Sequence, residues 1–139
     1  MEYQINRLQR LQNCAARLIT GDTRDVNSII VLRKLHWLPI RARIRYKILL
    51  LTFKAIHNHG PQYMKNMLLI QVNVRNTRSS NNELRLAEQK SKLQYGGDRA
   101  FSVCAPKLWN RLPCSLRSST NVESFKRQPK AHLFNEFLV

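Results

Sequence analysis

Acidic side chains are the scarcest chemistry in this sequence. Eight Asp and Glu stand against 24 Lys and Arg, giving a formal charge of +16, and no acidic residue falls between Val26 and Asn82. Cys14, Cys104 and Cys114 are odd in number and widely spaced, with no C-x-x-C, so no disulfide framework is encoded. A zinc site from Cys104, Cys114 and His132 has the right atom types, but its cysteine spacing matches no common knuckle or ribbon, and free thiols are the simpler expectation. There are four glycines, none followed by Lys-Ser or Lys-Thr, which excludes a phosphate-cradling P-loop. His36, His57, His59 and His132 lack a carboxylate or thiol partner at motif spacing, and His57 and His59 are two apart, wrong for two ligands on one helical face. They are expected at helix ends, meeting carbonyls. No catalytic residue, metal, cofactor or small-molecule substrate is therefore predicted. Apolar runs fall short of the about 18 residues needed to span a bilayer, and MEYQINRLQR lacks a cationic-then-apolar signal pattern. The expectation is an intracellular, soluble chain, nuclear if it functions.

The sequence's 139 residues, 43% apolar, suit a single globular domain with a modest core. Its charge imbalance costs folding stability through self-repulsion and is commonest where the partner is a polyanion. Nucleic acid leads, with an anionic membrane surface behind it.

The richest stretch runs from Leu35 to Pro61, LHWLPIRARIRYKILLLTFKAIHNHGP. It predicts one long central helix over about 39–58, with Pro39 at the first helical position and Gly60-Pro61 as the stop. Its second half is apolar almost all round, as in a buried helix, while Arg41, Arg43, Arg45 and Lys47 make its first half cationic. Alternation over Ile40–Lys47 also fits a half-buried strand, but the unbroken apolar continuation and good helix formers favour helix. Arg41 and Arg45 then share one flank, and Arg43 and Lys47 another.

Before it, Ile5, Leu8, Leu11, Ala15, Leu18 and Ile19 step by three and four, predicting an amphipathic helix from about Tyr3 to Thr20, closed by Gly21, with Arg7, Arg10 and Arg17 on its outer face. Asp25 or Asn27 caps a short helix through Ile29, Ile30, Leu32 and Leu35, and Trp37 and Leu38 fold back on it. After it, PQYMKNMLLI predicts a fourth helix with Tyr63, Met64, Met67 and Leu68 on one side. The polar, acid-free run 71–82 is a loop; weak alternation predicts short strands around 84–87 and 100–104, with a turn at Tyr95–Asp98. A short helix over 105–110 has Pro106 first, and Thr120 with Glu123 forms a capping box for the last helix, which Pro129 breaks or kinks. The fold class is mainly α: a small helical domain around the long central helix, with a short β-hairpin in the second half, divided into a helical subdomain at 1–70, a basic loop with weak strands at 71–99, and a C-terminal region with a short helix and the capped terminal helix at 100–139.

Several of these strings share a resemblance. RLQRLQNCAARLITG, LHWLPI with KILLLTFKAIH, YGGDRAFSVCAPKLWNRLPCSLRSS and the terminal ESFKRQPKAHLF resemble, in order and spacing, the C-terminal segment of LINE-type non-LTR retrotransposon polyproteins, downstream of the reverse-transcriptase palm and thumb. That resemblance implies a segment helping to hold template RNA and target DNA during target-primed reverse transcription. It also implies a partner in the palm and thumb of the parent polyprotein. The chain departs from the pattern in having two glycines, Gly96 and Gly97, where one is usual, and Pro129 where leucine is usual. No two acidic residues are adjacent, so the aromatic-x-Asp-Asp turn that holds Mg²⁺ in a palm is missing, as is the endonuclease's Glu, Asp and His cluster.

Composition and resemblance together predict a non-catalytic RNA- or DNA-binding module in which Arg41, Arg43, Arg45 and Lys47, helped by Arg33, Lys34, Arg75 and Arg78, neutralise phosphates. No aromatic stacking platform is visible, so sequence-specific reading is not expected; Trp37 and Trp109 are expected as core anchors. The alternatives are a transposon-derived remnant with no independent role, and an anionic-membrane binder using the terminal helix with Phe125, Phe134 and Phe137.

Overall fold

In the computed structural model, which describes residues 2–71, 84–91 and 96–138, the elements run α1 (Glu2–Thr20), α2 (Ser28–Lys34), α3 (Ile40–Ile56), α4 (Gln62–Asn66), β1 (Ile70–Gln71), β2 (Arg85–Leu86), a 3₁₀ turn (Gly97–Arg99), α5 (Phe101–Asn110), α6 (Cys114–Arg117) and α7 (Val122–Leu138). The protein is mainly helical, and among the described residues there is one two-stranded antiparallel sheet, in which Ile70 faces Leu86 and Gln71 faces Arg85. It divides into two compact units, Met1–Tyr46 with Pro129–Val139, and Lys47–Gln128. Among the described residues no helix is long and apolar enough to cross a membrane.

The first unit closes on Ala16, Val31, Leu32 and Leu138, with Val26, Leu35, Trp37, Phe134 and Phe137 packed around them. Gly21, at φ +71, closes α1 in the left-handed conformation, its N–H donating to Arg17 O at 2.8 Å. Of the two candidate caps for α2, Asn27 serves, its side chain accepting from Ile29 N at 2.9 Å. His36 then takes φ +53 and Trp37 N reaches back to Leu32 O at 2.9 Å, so α2 ends in a Schellman turn with histidine where glycine is usual. This reversal brings Trp37 onto the core and buries Leu38, as their fold-back was expected to do.

The orientation of α1 departs from its periodicity. Leu8, Leu11, Leu18 and Ile19 are exposed, and Gln12 and Ala16 are the buried positions. The reason lies at the α2–α3 connection, whose backbone groups need partners. Gln12 Nε2 donates to Leu38 O at 2.9 Å and Gln9 Oε1 accepts from Ile40 N at 2.8 Å, while small Ala16 lets α2 approach. Arg17, expected on the outer face, is half-buried and donates to Val26 O at 3.2 Å.

Helix α3 forms as expected and not as a strand, but its ends differ from the expectation. Pro39 lies just outside it, its carbonyl accepting from Arg43 N at 2.9 Å. At the far end Asn58, at φ +58, supplies the left-handed residue assigned to Gly60, and His59 N closes on Lys54 O at 2.8 Å. Asparagine tolerates this region because its short polar side chain bonds locally. The second half is not buried all round: Leu49, Thr52, Phe53 and Ala55 are inside, whereas Leu51 is exposed.

The second unit is organised by aromatic rings. Phe53 stacks on Phe125 with centroids 4.1 Å apart, and Trp109 lies 5.7 Å from Phe125; all three are buried, so Trp109 is the core anchor expected. Its Nε1 donates to Leu84 O at 2.9 Å, and the Asn110 amide brackets Leu86, accepting from its N at 3.1 Å and donating to its O at 2.8 Å. The end of α5 thus supplies β2 with partners a longer sheet would give. The strand expected at 84–87 is β2, but its partner is β1. The strand expected at 100–104 is instead the start of α5, whose first turn forms when Val103 and Cys104 donate to Ala100 O at 2.9 Å each. Pro106 therefore sits inside α5 and not at its first position. Helix α4 is short, and of the four residues assigned to its inner side only Leu68, just beyond it, is buried while Tyr63 and Met67 are exposed.

Asn121, and not Thr120, caps α7, its Oδ1 accepting from Glu123 N at 2.8 Å. The helix runs through Pro129 without the expected break. Proline inside a helix costs roughly 3 kcal/mol, and here its ring is among the fully buried side chains, an apolar burial that offsets part of that cost.

Candidate nucleic-acid interface

The eight cations singled out from the sequence meet three different fates. Arg75 and Arg78 lie outside the described residues. Three of the others are already engaged with carboxylates in the first unit. Lys34 Nζ bonds both carboxylate oxygens of Asp22, at 2.9 and 3.0 Å. Arg41 pairs with Glu2. Arg45 Nη1 meets Glu136 Oε1 at 2.9 Å, and its guanidinium lies over the Phe137 ring, 4.9 Å from the centroid. Arg33 and Arg43, also in the first unit, are exposed and make no ion pair among the described residues, and neither does Lys47 in the second.

Charge counted along the chain misses pairing between distant positions. Arg45 and Glu136 stand 91 positions apart, so an acid-free run says nothing about which carboxylates the fold returns to it. A visible local signal did exist for Lys34, since Asp22 directly follows the Gly21 helix stop. The Lys34 ammonium, with the Thr20 hydroxyl, holds the Asp22 carboxyl below its ordinary 3.8. The Arg41 and Arg45 pairs retain substantial solvent exposure, Arg41 being 52% and Arg45 39% exposed, which keeps these two pairs weak, whereas the Asp22 side chain is only 16% exposed.

Among the described residues, no three His, Cys, Asp or Glu side chains are grouped to hold a metal ion. Cys104 is half-buried, and burial pushes its thiol upward, away from nucleophilic reactivity. His57 packs on Phe53 at 4.2 Å, and burial, with His59 nearby, holds its pKa below 6.5. Of the four histidines expected at helix ends, His36, His57 and His59 stand there, their backbone N–H groups meeting helix-end carbonyls, whereas His132 lies inside α7. Beside β2, a groove includes Arg85, Glu88, Asn110 and Arg111 in its lining, but the Asn110 amide there is committed to Leu86 and Glu88. No protein-family model, curated protein or solved structure matches this chain.

Proposed function

We propose that this chain is a non-catalytic module that holds RNA or DNA by its phosphate backbone, the role implied by its resemblance to the C-terminal segment of LINE-type polyproteins. The observation that carries the proposal is the exposure of Arg33 and Arg43, without carboxylate partners among the described residues, on a chain of formal charge +16. Such cations bind phosphates and release counterions, whichever bases are attached. Arg41 and Arg45 form a reserve. The Arg41 and Arg45 ion pairs face solvent and contribute so little that a phosphate oxygen can replace Glu2 or Glu136 at small cost.

The test is the anisotropy of a labelled DNA duplex and a labelled RNA hairpin, titrated with the full chain over a range of salt. Log affinity should fall linearly with log salt, by about 0.9 per phosphate neutralised on the duplex and about 0.7 per phosphate on single strands. Scrambling the base sequence should leave affinity nearly unchanged. Binding that ignores salt, or is undetectable at low salt, overturns the proposal.

A further inference from the structure

Among the described residues the apolar stripe of α1 has no partner. Leu8, Leu11 and Leu18 are 51, 63 and 86% exposed, and Ile19 is 62% exposed. With Ala15 they cover roughly 100° of the helix circumference. Leu8, Leu11, Ala15 and Leu18 step by three, four and three, the spacing of a seam that receives another helix. Single exposed leucines need no explanation, but a contiguous row of them does.

The two edges of this stripe differ. One adjoins Gln12, already buried and bonded to Leu38 O. The other carries Arg7 and Arg10, both exposed and without an ion pair among the described residues. The one carboxylate on α1, Glu2, pairs with Arg41. The charges on the open edge are therefore all cationic, with exposed Cys14 and Tyr3 beside them. In an antiparallel second copy the same cationic edge would meet itself across the two-fold axis, like charge against like. A membrane-surface helix fills its apolar face with Trp, Phe or Leu; α1 offers leucine and isoleucine without Trp or Phe, and the spacing of Leu8, Leu11, Ala15 and Leu18 is that of a seam that seats a partner helix.

We infer that the exposed stripe of α1 is a docking surface for an amphipathic helix of another protein, one whose leucine seam is edged with carboxylates. Leucines from the two helices would interdigitate, and the partner's Glu or Asp would meet Arg7 and Arg10, which set the choice of partner and its orientation.

The probe is a synthetic fluorescent helix of about three heptads, with leucine at alternating steps of three and four and Glu along one edge. A second peptide carries Lys at the same edge. The full chain should bind the Glu peptide at least about tenfold more tightly than the Lys peptide. Leu11→Gln with Leu18→Gln should weaken Glu-peptide binding about tenfold or more with helix content and duplex binding unchanged, which separates this surface from the phosphate-binding role. Arg7→Glu with Arg10→Glu should reverse the preference between the peptides. Equal affinity for both peptides, or a preference unmoved by the charge reversal, overturns the inference. So does a dimer in sedimentation that the leucine substitutions abolish, or flotation with phosphatidylserine vesicles that depends on the same leucines.

Discussion

Residues Lys47–Gln128 close around three aromatic rings, whereas Met1–Tyr46 with Pro129–Val139 closes around alanine, valine and leucine, and the two units spend their polar side chains differently. In the second, Phe53, Trp109 and Phe125 supply the apolar bulk, and Trp109 and Asn110 add bonds to a two-residue strand. In the first, Gln9 and Gln12 occupy the helix face that leucines were expected to fill, because the α2–α3 connection had backbone groups to satisfy. An unpaired buried carbonyl costs about 1–3 kcal/mol, comparable to the about 1.5–3 kcal/mol from burying one leucine. Hydrogen-bond demand can therefore turn a helix away from its most apolar face.

The largest test of this contrast is Trp109→Ala, which removes a ring from the stack and the donor to Leu84 O. It should cost about 3–5 kcal/mol, read as a lower urea midpoint; a loss below about 1 kcal/mol would show that the rings do not carry the second unit. Ala16→Leu probes the first unit in the opposite sense. At a fully buried position where α1 meets α2, added bulk should destabilise by about 1–3 kcal/mol, and a gain in stability would mean spare room between the two helices. Gln12→Ala should cost about 1–3 kcal/mol by stranding Leu38 O. Gln12→Leu should not recover that loss; if it did, apolar burial and not bracing would govern α1.

The smallest expected effect is acidic. Lys34 holds the Asp22 carboxyl below 3.8 in the first unit, and Lys126 holds that of Glu123 below 4.5 in the second. Each pair contributes stability that is present above those ordinary values and lost as pH falls through the lower folded ones. Asp22→Asn should therefore narrow its stability gap to the parent as pH falls from about 5 to about 2. A gap constant across that window would mean that the pair does not form in solution.

Much of the helical architecture could be read from local chemistry. Gly21, Asn27 and the apolar continuation from Ile48 to Ile56 each act within a few residues, and each produced the element expected of it. What could not be read depended on distant partners. Nothing near Phe101 showed that this segment would begin a helix, because weak alternation resembles a strand until Ala100 O collects its two donors. Asn58 displaced Gly60 at the end of α3 since either residue can occupy the left-handed region. For the candidate interface the same limit applies: residue type and charge were legible, but Glu2 on Arg41 and Glu136 on Arg45 were set by the fold alone.

The phosphate-binding proposal is tested most directly by comparing cations that the fold leaves open with those it pairs. Arg33→Gln with Arg43→Gln deletes two exposed charges while keeping good helix formers. On a DNA duplex the slope of log affinity against log salt should become shallower by up to about 1.8, at about 0.9 for each phosphate no longer neutralised. Arg41→Gln with Arg45→Gln removes the same charge from sites already holding carboxylates and should change the slope less. Melting temperatures followed in parallel must show both variants folded. A folded Arg33→Gln, Arg43→Gln variant that keeps the parent slope would contradict the assignment of phosphate binding to these two residues.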